Sequence, residues 1–529
     1  MDKADLIEKA GRLLVVGFPG KMVTEDVKRL IHDYRVGQFI LFGRNVGLPE
    51  ELAELNANLQ EEARLAGHQQ PLLICIDQEN GIVRRLKDPA TAFPGAMGLG
   101  AANDLDLAKR IGFATGKELK EVGVNWNLAP VVDVNNNPKN PVINVRSFGE
   151  SPTKVSELAV AWLKGCQDAG VATTLKHFPG HGDTQVDSHL DLPTIKHSLN
   201  RLFEVELIPF ITGIKNGVDT IMSAHIYFSA LETREGVPAT LSRHILTGLL
   251  RERLGFDGVI TTDCLEMKAI ANTVGVANGA VEAIKAGADL AMISHTYEYQ
   301  VNAIKKLVEA LEQETLSLEQ VLKSNKRIEA LKNKYSSWEQ ATQSVTNIQA
   351  LYAEHKALAE ESYRKSVTII PNKENSENIR HLDPSKKVLA VYSGNHGFLQ
   401  VEEQNRPSII KELINVYPAD LDCYEVKFDQ HHDDFLEKKV KDYDDIIVIN
   451  GHHDERFQSF ISPIVSTGKA VVLALRNPYE IRHFKDARYY VCVYDDQPAA
   501  IKEGLNAIYG VGKSEGKLPI TIESNYFIK

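Results

Sequence analysis

The chain has 529 residues, of which 43% are apolar and 25% are charged, a composition typical of a globular protein. Its 60 Lys and Arg residues against 71 Asp and Glu residues give a net charge of −11, which argues against a nucleic-acid-binding protein. No apolar stretch is long enough to span a membrane, the N-terminus lacks the basic start of a signal peptide, and the five scattered cysteines form no CxxC pair. We therefore expect a cytoplasmic protein that makes no membrane contact and has neither a disulfide framework nor a zinc knuckle.

Eight short apolar runs, rich in Val and Ile, recur in the first 300 residues, each followed by a stretch of helical period. The runs are 13–18, 38–42, 72–77, 124–134, 172–178, 219–226, 258–263 and 290–294. The helical stretches include 50–66, 105–121, 153–168, 199–215 and 298–312. Apolar runs without polar alternation are typical of strands buried on both faces. The pattern predicts a (β/α)8 barrel over residues 1–335, with a doubly wound open sheet as the alternative.

One predicted helix contains a residue that disfavours helical structure. The stretch 199–215 follows Ser198, a suitable N-cap, but contains Pro209, which is expected to weaken or kink it.

The second half of the chain has a different pattern. Residues 317–366 are polar and helical in pattern and predict one or two helices, so we assign residues 336–385 to a helical linker. A second α/β pattern then begins at Lys387, with apolar runs at 388–395, 444–454, 468–481 and 489–496. It predicts a smaller α/β domain with a parallel sheet over residues 386–529.

Ionisable side chains stand at the same end of five of the eight barrel units. They are Asp77, Arg146 in the connection after the fourth run, Lys176 with His177, His225 and Asp263. Active sites of such barrels lie at the carboxyl ends of the strands, so this convergence indicates a functional site. Taken singly, each residue has a structural explanation; Asp263, for example, also fits a helix N-cap.

The segment KHFPGHGDTQVDSH (176–189) is the densest in chemistry-bearing residues. Its proline and glycines predict a loop. Asp187 precedes His189 by two residues, and a carboxylate so placed can orient the imidazole and raise its pKa, which makes a general acid–base pair. The structural alternative is that both side chains only satisfy the loop backbone.

The same segment also allows a metal site. Its potential ligands are His177, His181, Asp183, Asp187 and His189. The lack of an HExxH helix and the glycine-rich loop argue against it, so we predict no metal.

Asp263 completes a plausible reaction centre. A carboxylate at a strand tip can attack an electrophilic carbon and hold it as an ester. Together with a proton donor it describes a retaining glycosidase. We expect His189 to be the donor, because Asp187 gives it a partner, and Glu266 is the alternative.

These segments, with IDQENG, NVRSFGE, PATLS and VITTD, resemble glycoside hydrolase family 3, in its β-N-acetylglucosaminidase branch. The resemblance covers residues 5–335 and, less specifically, the second domain, where LALRNPYEI is similar to the family's α/β sandwich domain. It implies an exo-acting enzyme that removes terminal β-linked N-acetylglucosamine from muropeptide or chitin-derived fragments in cell-wall recycling. It implies no metal or organic cofactor, and it leaves the oligomeric state open.

The resemblance also implies a role for each site residue. Asp263 is the nucleophile, which forms a covalent glycosyl-aspartate, and His189 with Asp187 is the acid/base dyad. The implied substrate-binding residues are Asp77, which binds the outer hydroxyls of the sugar, Arg146, Lys176, His177 and, near the pocket, His225.

Two features depart from the family pattern. The third-run motif usually reads Asp-Gln-Glu-Gly-Gly-Arg-Val, whereas here Asn80 and Ile82 replace Gly and Arg, which changes the loop after Asp77. The second domain is absent from barrel-only members and is not needed for the dyad chemistry. It shapes the cleft or mediates association; His452 and His453, at a strand end, either reach the site or are exposed loop histidines.

Three other functions compete with a hydrolase. A phosphorylase could use the same residues, because a histidine acid/base does not repel phosphate as a carboxylate would. The other two are a metal-dependent barrel hydrolase and a catalytically inactive sugar-binding protein. Product analysis with and without phosphate, chelator sensitivity, and binding without turnover distinguish them in turn.

Overall fold

The structure is a computed structural model. It describes residues 2–185, 192–341, 348–372, 379–393, 402, 410–427, 438–451 and 454–522.

The N-terminal part is a closed barrel of eight parallel strands, which confirms the predicted fold class. The barrel strands are β1 (Leu14–Val16), β2 (Gln38–Leu41), β3 (Leu73–Ile76), β4 (Trp126–Asn127), β5 (Ala172–Phe178), β7 (Thr220–Ser223), β9 (Val259–Cys264) and β10 (Leu290–Ile293). They pair in chain order, and β10 closes the barrel against β1. Two short strands, β6 (Thr194–Ile195) and β8 (Tyr227–Phe228), pair with each other outside the barrel.

Helices alternate with these strands along the chain. They are Lys3–Gly11, Glu25–His32, Pro49–Leu65, Ala96–Ala102, Leu105–Glu121, Pro152–Asp168, Leu199–Glu204, Ile208–Lys215, His244–Arg253, Lys268–Ala271, Val276–Ala286 and Tyr297–Glu312. Each of the eight apolar runs overlaps a barrel strand, because parallel strands covered by helices need apolar side chains on both faces.

The predicted helix at 199–215 is in fact two helices. Ser198 caps the first one as expected, its hydroxyl accepting a hydrogen bond from the backbone N–H of Arg201 at 3.3 Å. Pro209 lies in the first turn of the second helix, where its missing N–H has no partner to lose. The proline therefore divides the stretch, as its chemistry suggests.

The second domain is built on a six-stranded sheet. In spatial order its strands are β11 (Thr368–Pro371), β16 (Tyr489–Cys492), β15 (Ala470–Ala474), β14 (Asp445–Asn450), β12 (Val388–Ser393) and β13 (Leu421–Val426). The sheet is mixed, which corrects the expectation of a purely parallel one, because β11 runs antiparallel to β16. The described helices of this domain are Ile410–Val416, Glu455–Val465 and Pro498–Ile508.

The segment between the two domains is helical, as predicted, but it also contains a strand. Its helices are Leu318–Tyr335, Trp338–Ala341 and Ile348–Ser366. Strand β11 lies within residues 336–385, the expected linker, and belongs to the sheet of the second domain. The boundaries 1–335, 336–385 and 386–529 themselves stay predictions.

The two domains share an apolar cluster. Ile82, Val83 and Val145, which follow β3 and β4 in the barrel, pack in one cluster with core residues of the second domain such as Val391 and Val472. Close by, Arg84 donates a hydrogen bond to the side chain of Gln497 at 3.1 Å. The second domain therefore packs directly against the loops at the carboxyl ends of two barrel strands.

Candidate active site

A cavity of about 380 Å³ opens at the carboxyl ends of the barrel strands. Five of the eight residues expected to be catalytic or substrate-binding line it, namely Asp77, Arg146, Lys176, His177 and Asp263. Side chains separated by up to 186 positions, from Asp77 to Asp263, thus face one space. The barrel brings them together because each follows or ends a parallel strand, and the strands all point the same way.

A buried ion cluster forms one wall of this cavity. The Nζ atom of Lys176 lies 2.7 Å from Asp77 Oδ1 and 2.6 Å from Glu79 Oε1. Arg146 holds Glu79 in a two-pronged contact, Nε to Oε2 at 2.9 Å and Nη2 to Oε1 at 2.8 Å. Arg85 approaches Asp77 at 3.8 Å. Three cations therefore surround two carboxylates, so that the wall can offer both donors and acceptors to a polyhydroxylated ligand.

The opposite charges of this cluster shift the pKa values of Lys176 and Glu79 towards their ionised forms. Burial alone would lower the pKa of Lys176, but Asp77 and Glu79 outweigh it and the pKa is raised. Burial alone would raise the pKa of Glu79, but Arg146 and Lys176 hold it well below its usual range. Lys176 and Glu79 are thus ionised at neutral pH, and their positions are set by short charged contacts.

A second carboxylate orients the neighbouring histidine. Asp133 Oδ2 lies 2.8 Å from His177 Nδ1, and the carboxylate also accepts hydrogen bonds from the backbone N–H groups of His177 and His181. This arrangement fixes the ring of His177 and favours a proton on Nδ1. Burial, together with the nearby His177, lowers the pKa of His181 to about 4, so His181 is neutral at physiological pH.

Asp263 occupies the opposite side of the cavity, near the end of β9. It is half-buried, and its Oδ1 accepts a hydrogen bond from the backbone N–H of Cys264 at 2.7 Å. Glu266 also lines the cavity, but its carboxylate accepts hydrogen bonds from the N–H groups of His295 and Thr296 at 3.0 Å each. Glu266 therefore holds the backbone at the start of the helix Tyr297–Glu312.

The proposed acid/base residues lie outside the described residues. Asp187 and His189 fall in the segment 186–191, and His452 and His453 of the second domain are likewise not described. The described chain reaches Gln185 on one side of the first segment and resumes at Leu192 on the other.

His225 occupies a different position from the other singled-out residues. It is buried, and it is not among the described residues that line the cavity. Its ring nitrogens lie 2.8 Å from Thr240 Oγ1 and 2.9 Å from the carbonyl oxygen of Cys264. It therefore supports the backbone beside Asp263, and direct contact with a substrate stays a prediction.

Three contributors were missed by the sequence analysis: Glu79, Arg85 and Asp133. Glu79 and Arg85 lie in or just after the segment IDQENG, so the resemblance already pointed to this loop. Asp133 lies near the end of the fourth apolar run, as Asp77 ends the third, and the same strand-end rule would have found it.

The described residues contain no group of three or more His, Cys, Asp or Glu side chains placed to hold a metal ion. Of the five ligands considered for a metal, His177 contacts Asp133, His181 contacts Thr184 and Asp183 contacts His197. A separate finding concerns membranes: within the described ranges, no helix is sufficiently long and apolar to cross a bilayer.

Comparisons with known proteins agree with this geometry. Residues 5–331 match the model of the glycosyl hydrolase family 3 N-terminal domain. The chain is 33% identical to beta-hexosaminidase A of Pseudoalteromonas piscicida, over 94% of this chain and 91% of that protein. It is also similar to two solved structures. One is a glycoside hydrolase family 3 β-N-acetylglucosaminidase from Paenibacillus sp. str. FPU-7 (TM-score 0.89, 36% identity, covering 98% of this chain and 99% of that one). The other is a fungal multi-domain β-N-acetylglucosaminidase of the same family (TM-score 0.91, 34% identity, covering 99% of this chain and 62% of that one).

Proposed function

The chain belongs to glycosyl hydrolase family 3, and we propose that it is a retaining, exo-acting β-N-acetylglucosaminidase that forms a covalent glycosyl-aspartate. Its substrate class is a terminal β-linked N-acetylglucosaminide from muropeptide or chitin-derived fragments. The observation that carries the proposal is the cavity in which Asp263 faces the ion cluster of Asp77, Lys176 and Arg146. A role in cell-wall recycling and a cytoplasmic location stay predictions from the sequence.

The similarity at full length supports the choice of sugar. A relative called a beta-hexosaminidase and one called a β-N-acetylglucosaminidase each match almost the whole of this chain and almost the whole of their own. Similarity over the whole chain favours a shared substrate class, because the active site of such a barrel is assembled from many of its strand ends.

In the proposed first step, the carboxylate of Asp263 attacks the anomeric carbon of the bound sugar. The bond to the leaving oxygen breaks as the new ester bond forms, and His189 gives its proton to that oxygen. Asp187 stabilises the imidazolium before the transfer, as a carboxylate beside a histidine does in other general acid–base pairs.

In the proposed second step, the now neutral His189 takes a proton from water. The hydroxide oxygen attacks the anomeric carbon, the ester to Asp263 breaks, and free β-anomeric sugar is released. Two displacements at one carbon restore the starting configuration, so retention is the expected stereochemical outcome.

The ion cluster supplies the sugar-binding wall in this mechanism. Asp77 accepts hydrogen bonds from sugar hydroxyls, Lys176 and Arg146 donate to sugar oxygens, and the oriented His177 offers its other ring nitrogen, Nε2, to the sugar. The short contacts within the cluster fix these groups before substrate arrives, which limits the entropy lost on binding. Side chains fill the interior of such a barrel, so the substrate enters from the mouth alone, in keeping with exo action.

The test is turnover of p-nitrophenyl β-N-acetylglucosaminide in phosphate-free buffer and again with phosphate, with the products resolved by mass and the anomer followed by NMR. We expect free N-acetylglucosamine, first as the β-anomer, at the same rate in both buffers. Sugar 1-phosphate formed only with phosphate would identify a phosphorylase instead, and no turnover of any β-hexosaminide would refute the proposal.

Two variants make the test specific to the nucleophile. Asp263→Asn should abolish the covalent step, because an amide is a poor nucleophile, and kcat/KM should fall at least about 10³-fold. Asp257→Asn is the matched control, since Asp257 lies just before the same strand with a side chain that is 91% exposed. Equal activity of the two variants would rule out Asp263 as the nucleophile.

A further inference from the structure

A contact between a carboxylate and a histidine links the two described ends of the segment that carries Asp187 and His189. Asp183 Oδ2 lies 2.5 Å from His197 Nε2. Asp183 precedes the segment 186–191 and His197 follows it. The contact therefore joins the part of the chain before this segment to the part after it. Both side chains are only partly exposed, so water competes less for their contact than it would at a fully exposed position.

The outgoing end is fixed to the loop after β4. The side-chain amide of Asn140 donates hydrogen bonds to the carbonyl oxygens of His181 at 2.8 Å and Gly182 at 2.9 Å. At Gly182 the chain passes so close to this loop that a Cβ atom would stand 1.7 Å from the carbonyl oxygen of Val134. The chain up to Asp183 therefore has one defined path.

The returning end is fixed to a different part of the barrel. Strand β6, at Thr194–Ile195, pairs with β8, and the N–H of Tyr227 donates to the carbonyl oxygen of Pro193 at 2.9 Å. His197 follows at once, just before the capping residue Ser198. The two ends are thus anchored independently, one beside β4 and the other beside β8.

We propose that the Asp183–His197 pair is a positioning clamp for the acid/base step. Each end has its own anchors, so the clamp adds little to the stability of the fold, and its effect is to fix the separation between the two ends. Asp187 lies four residues after Asp183, and general acid catalysis needs its proton donor within hydrogen-bond reach of the leaving oxygen. This inference rests on the proposed function, and it assigns His197 and Asp183 a positioning role without contact to the substrate.

The experiment compares leaving groups. His197→Ala should lower kcat on N,N′-diacetylchitobiose, whose leaving group needs protonation, by about 10-fold, a part of the roughly 10²–10⁴-fold that general acid catalysis supplies. The same variant should change kcat on the p-nitrophenyl glycoside less than about 3-fold, since that leaving group departs without a proton. His197→Gln retains a side-chain N–H donor and should restore most of the loss, and Asp183→Ala, which removes the acceptor, should repeat the selective loss.

His32→Ala is the matched control. His32 forms a similar pair with Glu62, at 2.9 Å from Nε2 to Oε2, and ends a helix that leads to the opposite end of the barrel. It should leave both substrates unaffected.

The possible results distinguish a failure of the proposed clamp from a failure of the proposed function on which it rests. If wild-type protein releases no N-acetylglucosamine, the proposed function fails. If wild-type protein is active but His197→Ala loses activity equally on both substrates, with a lower melting temperature, the pair is merely structural and the clamp is overturned. Behaviour of His197→Ala like that of His32→Ala would overturn it as well.

Discussion

Replacing Glu79 by glutamine tests whether the buried ion cluster holds the site together. One Glu79 oxygen lies 2.6 Å from Lys176 Nζ and 2.8 Å from Arg146 Nη2, and the other accepts from Arg146 Nε. Glutamine preserves the shape of the side chain but removes its charge and one acceptor. Of the two buried cations that Glu79 holds, Lys176 keeps a direct contact with the remaining carboxylate, Asp77.

Removing one partner from a buried ion pair costs about 3–5 kcal/mol, because the charge left behind has no compensating partner. We therefore expect Glu79→Gln to lower the free energy of unfolding by about 3–5 kcal/mol, measured by urea denaturation. The KM for the p-nitrophenyl glycoside should rise, because Lys176 and Arg146 lose the carboxylate that sets their positions.

Glu361→Gln provides the matched control. Glu361 is also held by one arginine and one lysine, Arg110 at 2.6 Å and Lys365 at 3.2 Å, but at the surface. Solvent screens such contacts, so this variant should lose less than about 1 kcal/mol and leave KM unchanged. If Glu79→Gln lost no more stability than Glu361→Gln, the buried cluster would not be the element that holds the site.

The difference in stability between wild type and Glu79→Gln should also depend on pH, in a direction that follows from the pKa of Glu79. The pKa of Glu79 is depressed in the folded protein, since Arg146 and Lys176 outweigh the effect of burial. Its contribution to stability is therefore complete above the ordinary value of 4.5 and is lost as the pH falls towards the folded pKa. The difference in unfolding free energy between wild type and Glu79→Gln should be constant near neutral pH and shrink below about pH 4.5. A difference that grew on acidification would refute the reasoning.

Three further predictions follow from single contacts. Asp133→Asn should lower kcat/KM about 10- to 100-fold, as expected for the loss of a charge-assisted hydrogen bond to His177, with the melting temperature as control for folding. Gly182→Ala should lower both the melting temperature and the activity, because its Cβ would collide with the carbonyl oxygen of Val134; a variant with unchanged melting temperature would contradict that close approach. Ile82→Arg should cost at least about 2 kcal/mol of unfolding free energy by placing a charge in the apolar cluster between the domains, whereas Ile82→Val should cost about 0.5–1.5 kcal/mol, and equal costs would count against burial as the cause.

Much of the barrel can be predicted from the sequence, because a strand covered on both faces leaves an unbroken apolar run. Strand β13, Leu421–Val426, escaped the same reasoning, since it is an edge strand whose Asp422 and Glu425 interrupt the apolar run. Strand β11 was missed for another reason. It is four residues long, closely follows a helix, and pairs with β16, which lies more than a hundred residues later in the chain.

Some residues of the candidate site could likewise be predicted from the sequence, and others could not. The strand-end rule found Asp77, Lys176 and Asp263, because their positions relative to the apolar runs are local features of the sequence. It did not reveal that Glu79 holds Arg146, 67 residues further along, since no local pattern records which side chains meet across the barrel mouth. The chemistry-bearing residues were thus easier to identify than the residues that position them.

The departures from the family motif after Asp77 can be understood through the second domain. Asn80 has a φ of +69°, a left-handed conformation that asparagine tolerates better than most residues and that the usual glycine adopts freely. Its side chain also donates a hydrogen bond to Thr115 Oγ1 at 3.0 Å, so the backbone of the loop keeps its path. Ile82, where arginine is usual, is buried in the cluster shared with the second domain. Since Glu79 lies only three residues before Ile82, the second domain packs on the loop that holds the proposed sugar-binding wall in place.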